Sequence, residues 1–406
     1  MKTLNYFWHF VIGSVAVVSR GTRAYYAWIA LLVVVILIGV NAYVNQASMG
    51  LITANMRDPL SWGFYIGNFA FLVGVAAAAV VLVVPAYVYN WGPLRDVVLI
   101  AELLSVAAIV MCILFVTVDV GRPEFLWHLA PGVGTPNFPY SMLVWDILVL
   151  NAYFLINYFI VTYLLFMAFT GQKYNPSFIM PVIFLSIPLA VGIHSVTAML
   201  FMGLKARAFW HTAILAPRFL SSAFCSGPAL LLLIFQVLRR VGKIEISNQA
   251  LFKIGELIAY AMAINIFFLG VEVFTEFYGE TAHSVHARFQ WFGIHGSSDI
   301  AIWTWLALAC NSLAFICFMV PSLRYRLPVL STACLLAISG VYIEKGMGLL
   351  LPGMTPGVLG EVYHYKPSLN EVMVSVGVWG IGALLFTLMV KVAMEITVGR
   401  MRYERS

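Results

Sequence analysis

Charge is scarce in this chain. Lys, Arg, Asp and Glu together make up 10% of its 406 residues, where a soluble domain averages about 25%. Polar linkers and low-complexity tracts are absent too, so no room remains for a separate soluble domain. The five cysteines (Cys112, Cys225, Cys310, Cys317 and Cys334) all fall inside apolar runs and form no CxxC. That spacing holds no iron–sulfur cluster, and the cysteines read as small packing hydrophobes. Of the eight histidines only His194 lies well inside an apolar run. A membrane b-type haem needs two axial ligands at matched depth, so the sequence reads as a chain without haem. The short alternating segments of a membrane β-barrel are missing as well.

Long apolar runs are what the chain has. A helical span needs about 20 apolar residues, and ten runs qualify: 26–47, 63–89, 97–118, 141–169, 178–201, 219–238, 254–275, 300–321, 327–344 and 370–392. The expected fold is an all-α polytopic transmembrane bundle. Residues 1–25 read as an interfacial helix, because Tyr6, Phe7, Trp8 and Phe10 suit the membrane surface. Arg20 and Arg23 stand where a signal-peptide cleavage site would need small residues, so this segment is expected to be retained. Residues 26–321 read as an eight-helix core, and 322–406 as two further spans and a tail.

The net charge of +6 follows the positive-inside rule rather than marking a nucleic-acid binder. Most Lys and Arg, among them Arg20, Arg239, Arg240, Arg324, Arg326, Arg400 and Arg402, fall on the side of the termini. Both termini are therefore expected in the cytoplasm, in a cell (inner) membrane. Lys205, Arg207 and Arg218 break the rule, so either they bind something or one span is misplaced. The loops opposite the termini are the longer ones and are rich in Gly, Pro and aromatics, as in 131–139. Such loops carry function more often than they merely connect.

Ionisable groups inside a bilayer cost roughly 2.5–3.5 kcal/mol each on insertion scales, so each invites a functional reading. Asp119 ends the third run, Asp146 lies one turn into the fourth, and His194 sits in the fifth. Glu272 and Glu276 end the seventh, one turn apart on one face. All lie toward the long loops. Asp119 with Arg122 also reads as a simple ion pair, and Glu272 with Glu276 as two groups facing interfacial water. Glu102 lies inside the opposite end of the third run. It reads either as a proton-path residue or as a carboxylate that reaches the interface or pairs with Arg95. With Asn68, Asn151, Asn157, Asn265 and Asn311 it outlines a polar track, although Asn in membrane helices also serves as interhelical glue.

Four segments on consecutive runs carry a resemblance: Trp62-Gly63-Phe64-Tyr65-Ile66-Gly67-Asn68-Phe69, Val118-Asp119-Val120-Gly121-Arg122-Pro123, Ser141-Met142-Leu143-Val144-Trp145-Asp146 and His194-Ser195-Val196-Thr197. Together they resemble the NrfD/PsrC family, the membrane subunits of polysulfide reductase-like complexes. Within it the chain is most similar to the ten-span branch that includes DsrP of the sulfite-reduction-associated DsrMKJOP complex. The resemblance implies a subunit without a redox cofactor of its own, holding an exchangeable quinone (menaquinone or ubiquinone). It implies electron exchange with an extracytoplasmic ferredoxin-like iron–sulfur subunit, beside cytochrome and cytoplasmic subunits. The family's quinone and proton residues match Asp119, Asp146 and His194; some relatives carry His where this chain has Asp119. Arg122, Tyr65 and Asn68 join the expected quinone site, and Glu102, Glu272 and Glu276 the expected proton path. Two rival readings are a secondary transporter, whose paired broken helices have no clear counterpart here, and a purely structural membrane anchor.

Overall fold

A computed structural model describes residues 2–403, except 96, 131, 242–245, 280–283, 295, 297–298 and 358. Among them ten helices are long and apolar enough to cross a membrane: Arg23–Met49, Phe64–Val88, Val98–Asp119, Met142–Phe169, Pro176–Met202, Leu215–Val241, Asn248–Tyr278, Asp299–Met319, Leu327–Met354 and Leu369–Thr397. They are numbered here as spans one to ten. The N-terminal helix Lys2–Val18 precedes them, and an isolated antiparallel bridge pairs Arg57 with Leu60.

Polar residues set where the spans begin. Ser141, Asn175 and Ser247 each accept a backbone N–H from the first turn that follows, which satisfies one of the donors a helix start leaves open. Ser368 and Glu371 form a reciprocal capping box at the start of span ten. Apolar length then carries each helix across.

Burial separates the spans. The apolar window of span two is 83% buried and that of span three 78%, against 17% for span one, so spans two and three form the axis and the others wrap them. Small residues let backbones approach where helices cross. Spans one and ten meet at Gly39 and Gly377, where a Cβ on Gly39 would stand 2.4 Å from the Gly377 Cα. Any side chain there would force these two spans apart. Span two is broken at Ala77 and ends in a wide π turn at Val84–Val88, where Pro85 supplies no N–H for the regular ladder.

Two expectations shift. Span nine does not end near 344: after Lys345 the chain turns at Gly346 and resumes as a helix over Met347–Met354. The long loops are also partly built, with a 3-10 segment at Pro123–Leu129 and a helix at Ser284–Phe292.

Candidate functional site

Spans four and five run side by side, and their loop-side ends bring two of the expected residues together. Asp146 is 4% exposed, and its Oδ1 accepts a 2.7 Å hydrogen bond from the Thr197 hydroxyl. His194 lies one turn before Thr197 on the same helix and is fully buried. Its Nδ1 sits 2.8 Å from the Ala190 carbonyl. A carbonyl can only accept, so Nδ1 carries a proton, and the remaining ring nitrogen, Nε2, is buried with no hydrogen-bond partner. The pair therefore offers a carboxylate and an unengaged imidazole nitrogen inside the bundle.

Asp119 stands apart. It ends span three, two turns beyond Cys112, which lies within electrostatic reach of Asp146. Seven residues at 1.5 Å each set Asp119 about 10 Å closer to the loop end. Its Oδ1 is buried and unpartnered. Around it, the Tyr65 hydroxyl donates to Gln46 Oε1 at 2.6 Å, and Gln46 Nε2 donates to the Val118 carbonyl at 2.7 Å. Glu371 and Tyr65 lie within electrostatic reach of Asp119 as well.

Arg122 does not pair with Asp119. It binds Glu124 at 2.8 Å with both side chains largely exposed, and that bond holds the Glu124 carboxyl below the usual carboxylate range. The chain leaves the helix at Val120 in an extended conformation, which carries Arg122 out beyond Asp119. Asn68 is engaged within the bundle: its Oδ1 accepts from Tyr342 and from Trp379, each at 2.9 Å. It ties span two to spans nine and ten, as interhelical glue does.

Glu272 does not face interfacial water with Glu276 as its neighbour. It forms an ion pair with Arg218 of span six, which also binds Glu344 of span nine at 2.5 Å. Asn311 and Asn265 donate to the other oxygen of Glu344 at 2.9 and 3.5 Å. Arg207 donates to the carbonyls of Met354 and Pro59. Two of the three cations that break the orientation rule are thus neutralised or bonded inside the protein, and need no outside partner. Glu102 is 2% exposed with Oε2 unpartnered, so it does not reach the interface; the Arg95 side chain lies outside the described residues.

Three residues were missed by sequence reasoning. Lys345, placed in a loop by its position after an apolar run, is 3% exposed; its amine donates to the Phe219 carbonyl at 2.7 Å and lies over the Phe219 ring. Glu344 beside it completes the Arg218 cluster. Glu371 is fully buried, accepting from Tyr365, Asn55 and Ser368. The signal was available for the first two, since Glu344-Lys345 interrupts an apolar stretch that resumes at Met347.

Toward the loops an aromatic cluster covers this region. Phe201, two turns beyond His194, packs on Trp62, Trp210 and Phe219 with ring centroids 5.2–5.8 Å apart. Among the described residues no group of three or more His, Cys, Asp and Glu could hold a metal ion.

The chain is similar over nearly its whole length to subunits of reductases and oxidoreductases. It is 26% identical to a candidate membrane subunit of dimethyl sulfoxide reductase from Halobacterium salinarum, over 92% of this chain and 91% of that one. It is 25% identical to an Hdr-like menaquinol oxidoreductase integral membrane subunit of Archaeoglobus fulgidus, covering 90% and 92%. A selenate reductase subunit of Mesobacillus selenatarsenatis is 21% identical, with 87% and 91% covered. Residues 52–355 match the family described as polysulphide reductase, NrfD, so this integral membrane protein belongs to the NrfD polysulphide reductase family.

Proposed function

We propose that this chain is the quinone-reactive membrane subunit of a respiratory oxidoreductase complex. It exchanges electrons between a membrane quinone or quinol and an iron–sulfur partner. The observation that carries the reading is a set of buried acid–base groups in the loop-side half of the bundle: His194 Nε2 and Asp119 Oδ1, both unengaged, and Asp146, held by Thr197. Oxidising a quinol removes two protons as well as two electrons, and each departing proton needs an acceptor at an oxygen of the ring. An imidazole with a free nitrogen and a buried carboxylate meet that need. Asp119, Asp146 and His194 are the acid–base groups in this proposal, with Tyr65 and Gln46 orienting the wall beside Asp119. Arg122, exposed on the far side of Glu124, and Asn68, committed to Tyr342 and Trp379, belong to the surroundings.

The relatives support this class: one is a menaquinol oxidoreductase subunit and another a selenate reductase subunit. We further propose that the long-loop side is extracytoplasmic and docks a ferredoxin-like iron–sulfur subunit, that further cytochrome and cytoplasmic subunits complete the complex, and that the termini lie in the cytoplasm of a cell-membrane protein. The distribution of Lys and Arg supports that orientation. The ten spans, which resemble the branch that includes DsrP, support a role in dissimilatory sulfur metabolism. The test is a photoreactive quinone analogue added to the intact complex. Label is expected on peptides of spans three to five near Asp119, Asp146 and His194; label confined to another subunit rules the reading out.

Proton translocation is part of the proposal. Glu102 lies in the opposite half of span three, 17 residues from Asp119, or about 25 Å at 1.5 Å per residue, and its buried unpartnered oxygen supports a path toward the terminal side. In reconstituted complex, Glu102→Gln is expected to abolish proton uptake from that side. Unchanged uptake and turnover make Glu102 structural. Glu272 and Glu276 were the other expected members; Glu272 is bound to Arg218, which makes it a poor carrier.

A further inference from the structure

Three segments far apart in sequence meet at the end of the bundle that carries both termini. The first is the turn between spans four and five, residues 170–175. The second is the tail after span ten, which lies on it: the Tyr403 N–H donates to the Phe169 carbonyl at 2.9 Å. The third is the N-terminal helix, packed against both. Phe10 meets Phe169 and Phe166 with ring centroids 5.4 and 6.0 Å apart, and Tyr6 meets Tyr403 edge-on at 4.6 Å. On its other side this helix exposes Phe7, Trp8, Ile12 and Val15. A helix with such a face lies in the boundary between hydrocarbon and headgroups, and so marks the depth of the junction.

Beside the junction is a cavity of about 310 Å³. Its apolar wall is Leu164, Met167 and Ala168, from the last turns of span four; its polar wall is Gln172, Lys173 and Tyr174, from the turn beyond. Lys173 and Arg402 are exposed, and neither forms an ion pair among the described residues. Arg400 alone is balanced, by Glu395 at 3.3 Å. The start of span five, capped by Asn175, also points its positive dipole end this way. A hydrocarbon wall that gives way to uncompensated positive charge at headgroup depth has the polarity of an anionic lipid.

We propose that this cavity binds one anionic phospholipid. Its phosphate is held by the Lys173 ammonium and the Gln172 amide, with Arg402 adding charge, and an acyl chain lies along Leu164 and Met167. The site is remote from Asp146 and His194, and the inference stands whether or not the chain reacts with quinone.

Native mass spectrometry and thermal unfolding of the detergent-purified complex test it. Phosphatidylglycerol is expected to raise the unfolding temperature and stay bound, where phosphatidylcholine and inorganic phosphate at millimolar concentration do neither. Attraction to an anionic headgroup is worth about fivefold in affinity per cation near the surface. The doubly substituted Lys173→Gln, Arg402→Gln complex should thus retain at least tenfold less phosphatidylglycerol. Met167→Trp, which fills the cavity without touching a charge, should also lose the lipid, and serves if the first variant fails to assemble. Equal retention of both lipids, undiminished retention in both variants, or the same stabilisation by inorganic phosphate alone would overturn the proposal.

Discussion

Replacing Arg218 with methionine is expected to destabilise the bundle by about 3–5 kcal/mol, the usual consequence of removing one partner from a buried ion pair. Arg218 is the cation shared by Glu272 and Glu344, and all three side chains are roughly one-tenth exposed. Methionine keeps most of the apolar stem, so lost packing contributes little. What remains is two carboxylates in a low-dielectric interior, beside Lys345, whose amine is already directed at Phe219. Adding Glu272→Gln and Glu344→Gln to the same variant should recover much of the loss, because the three groups act as one network and their effects do not add. Unfolding of the purified complex in detergent, followed by tryptophan fluorescence, reads both. A loss under about 1 kcal/mol for the single variant shows that the cluster is open to water and not the clasp between spans six, seven and nine.

Hydropathy made the bundle legible because a lipid-facing helix must be apolar along its length, whatever it packs against. That single constraint places nine of the ten spans to within six residues at each end. It fails where a polar residue is hidden by protein instead of ending a span. Lys345 looks like a boundary when charge alone is read, yet the helix resumes at Met347 and carries on to Met354. The same failure explains the orientation anomaly. Counting Arg207 and Arg218 as loop charges treats them as solvated, whereas one bonds two carbonyls and the other two carboxylates.

The candidate site was legible residue by residue but not as an arrangement. Asp146 and His194 stand out in sequence as ionisable groups deep in apolar runs. Their meeting through Thr197 depends on the register between spans four and five, which no local pattern encodes. Asp119 and Arg122, three positions apart, looked like a pair because sequence spacing assumes the helix continues. It stops at Val120, and Glu124 takes the arginine. Glu371 was invisible for a different reason: its three hydrogen bonds come from Asn55, Tyr365 and Ser368, and the first of these is brought to it only by the packing of span one against span ten.

The register between spans four and five also yields the largest functional effect. His194→Phe and Asp146→Asn are each expected to lower quinone-linked electron transfer by about 10²–10⁴-fold, the range a positioned acid or base contributes, with the complex still assembled. Phenylalanine keeps the ring volume of His194 but removes Nε2 as an acceptor, while the Ala190 carbonyl retains its place in the helix ladder. Asparagine can still accept from Thr197 but cannot take a proton. Thr197→Val separates proton transfer from positioning. It removes one hydrogen bond to a charged group, worth about 1.5–3 kcal/mol, and leaves the Asp146 carboxylate in place. Its effect should stay near or below a hundredfold, and Thr197→Ser, which restores the hydroxyl, should bring the rate back. Turnover measured with a soluble quinol and an artificial acceptor at the iron–sulfur partner gives all four rates. Full activity in both His194→Phe and Asp146→Asn removes these residues from the mechanism. A loss in Thr197→Val as deep as that in Asp146→Asn, not restored by serine, shows instead that this contact holds spans four and five together and that the acid–base groups lie elsewhere.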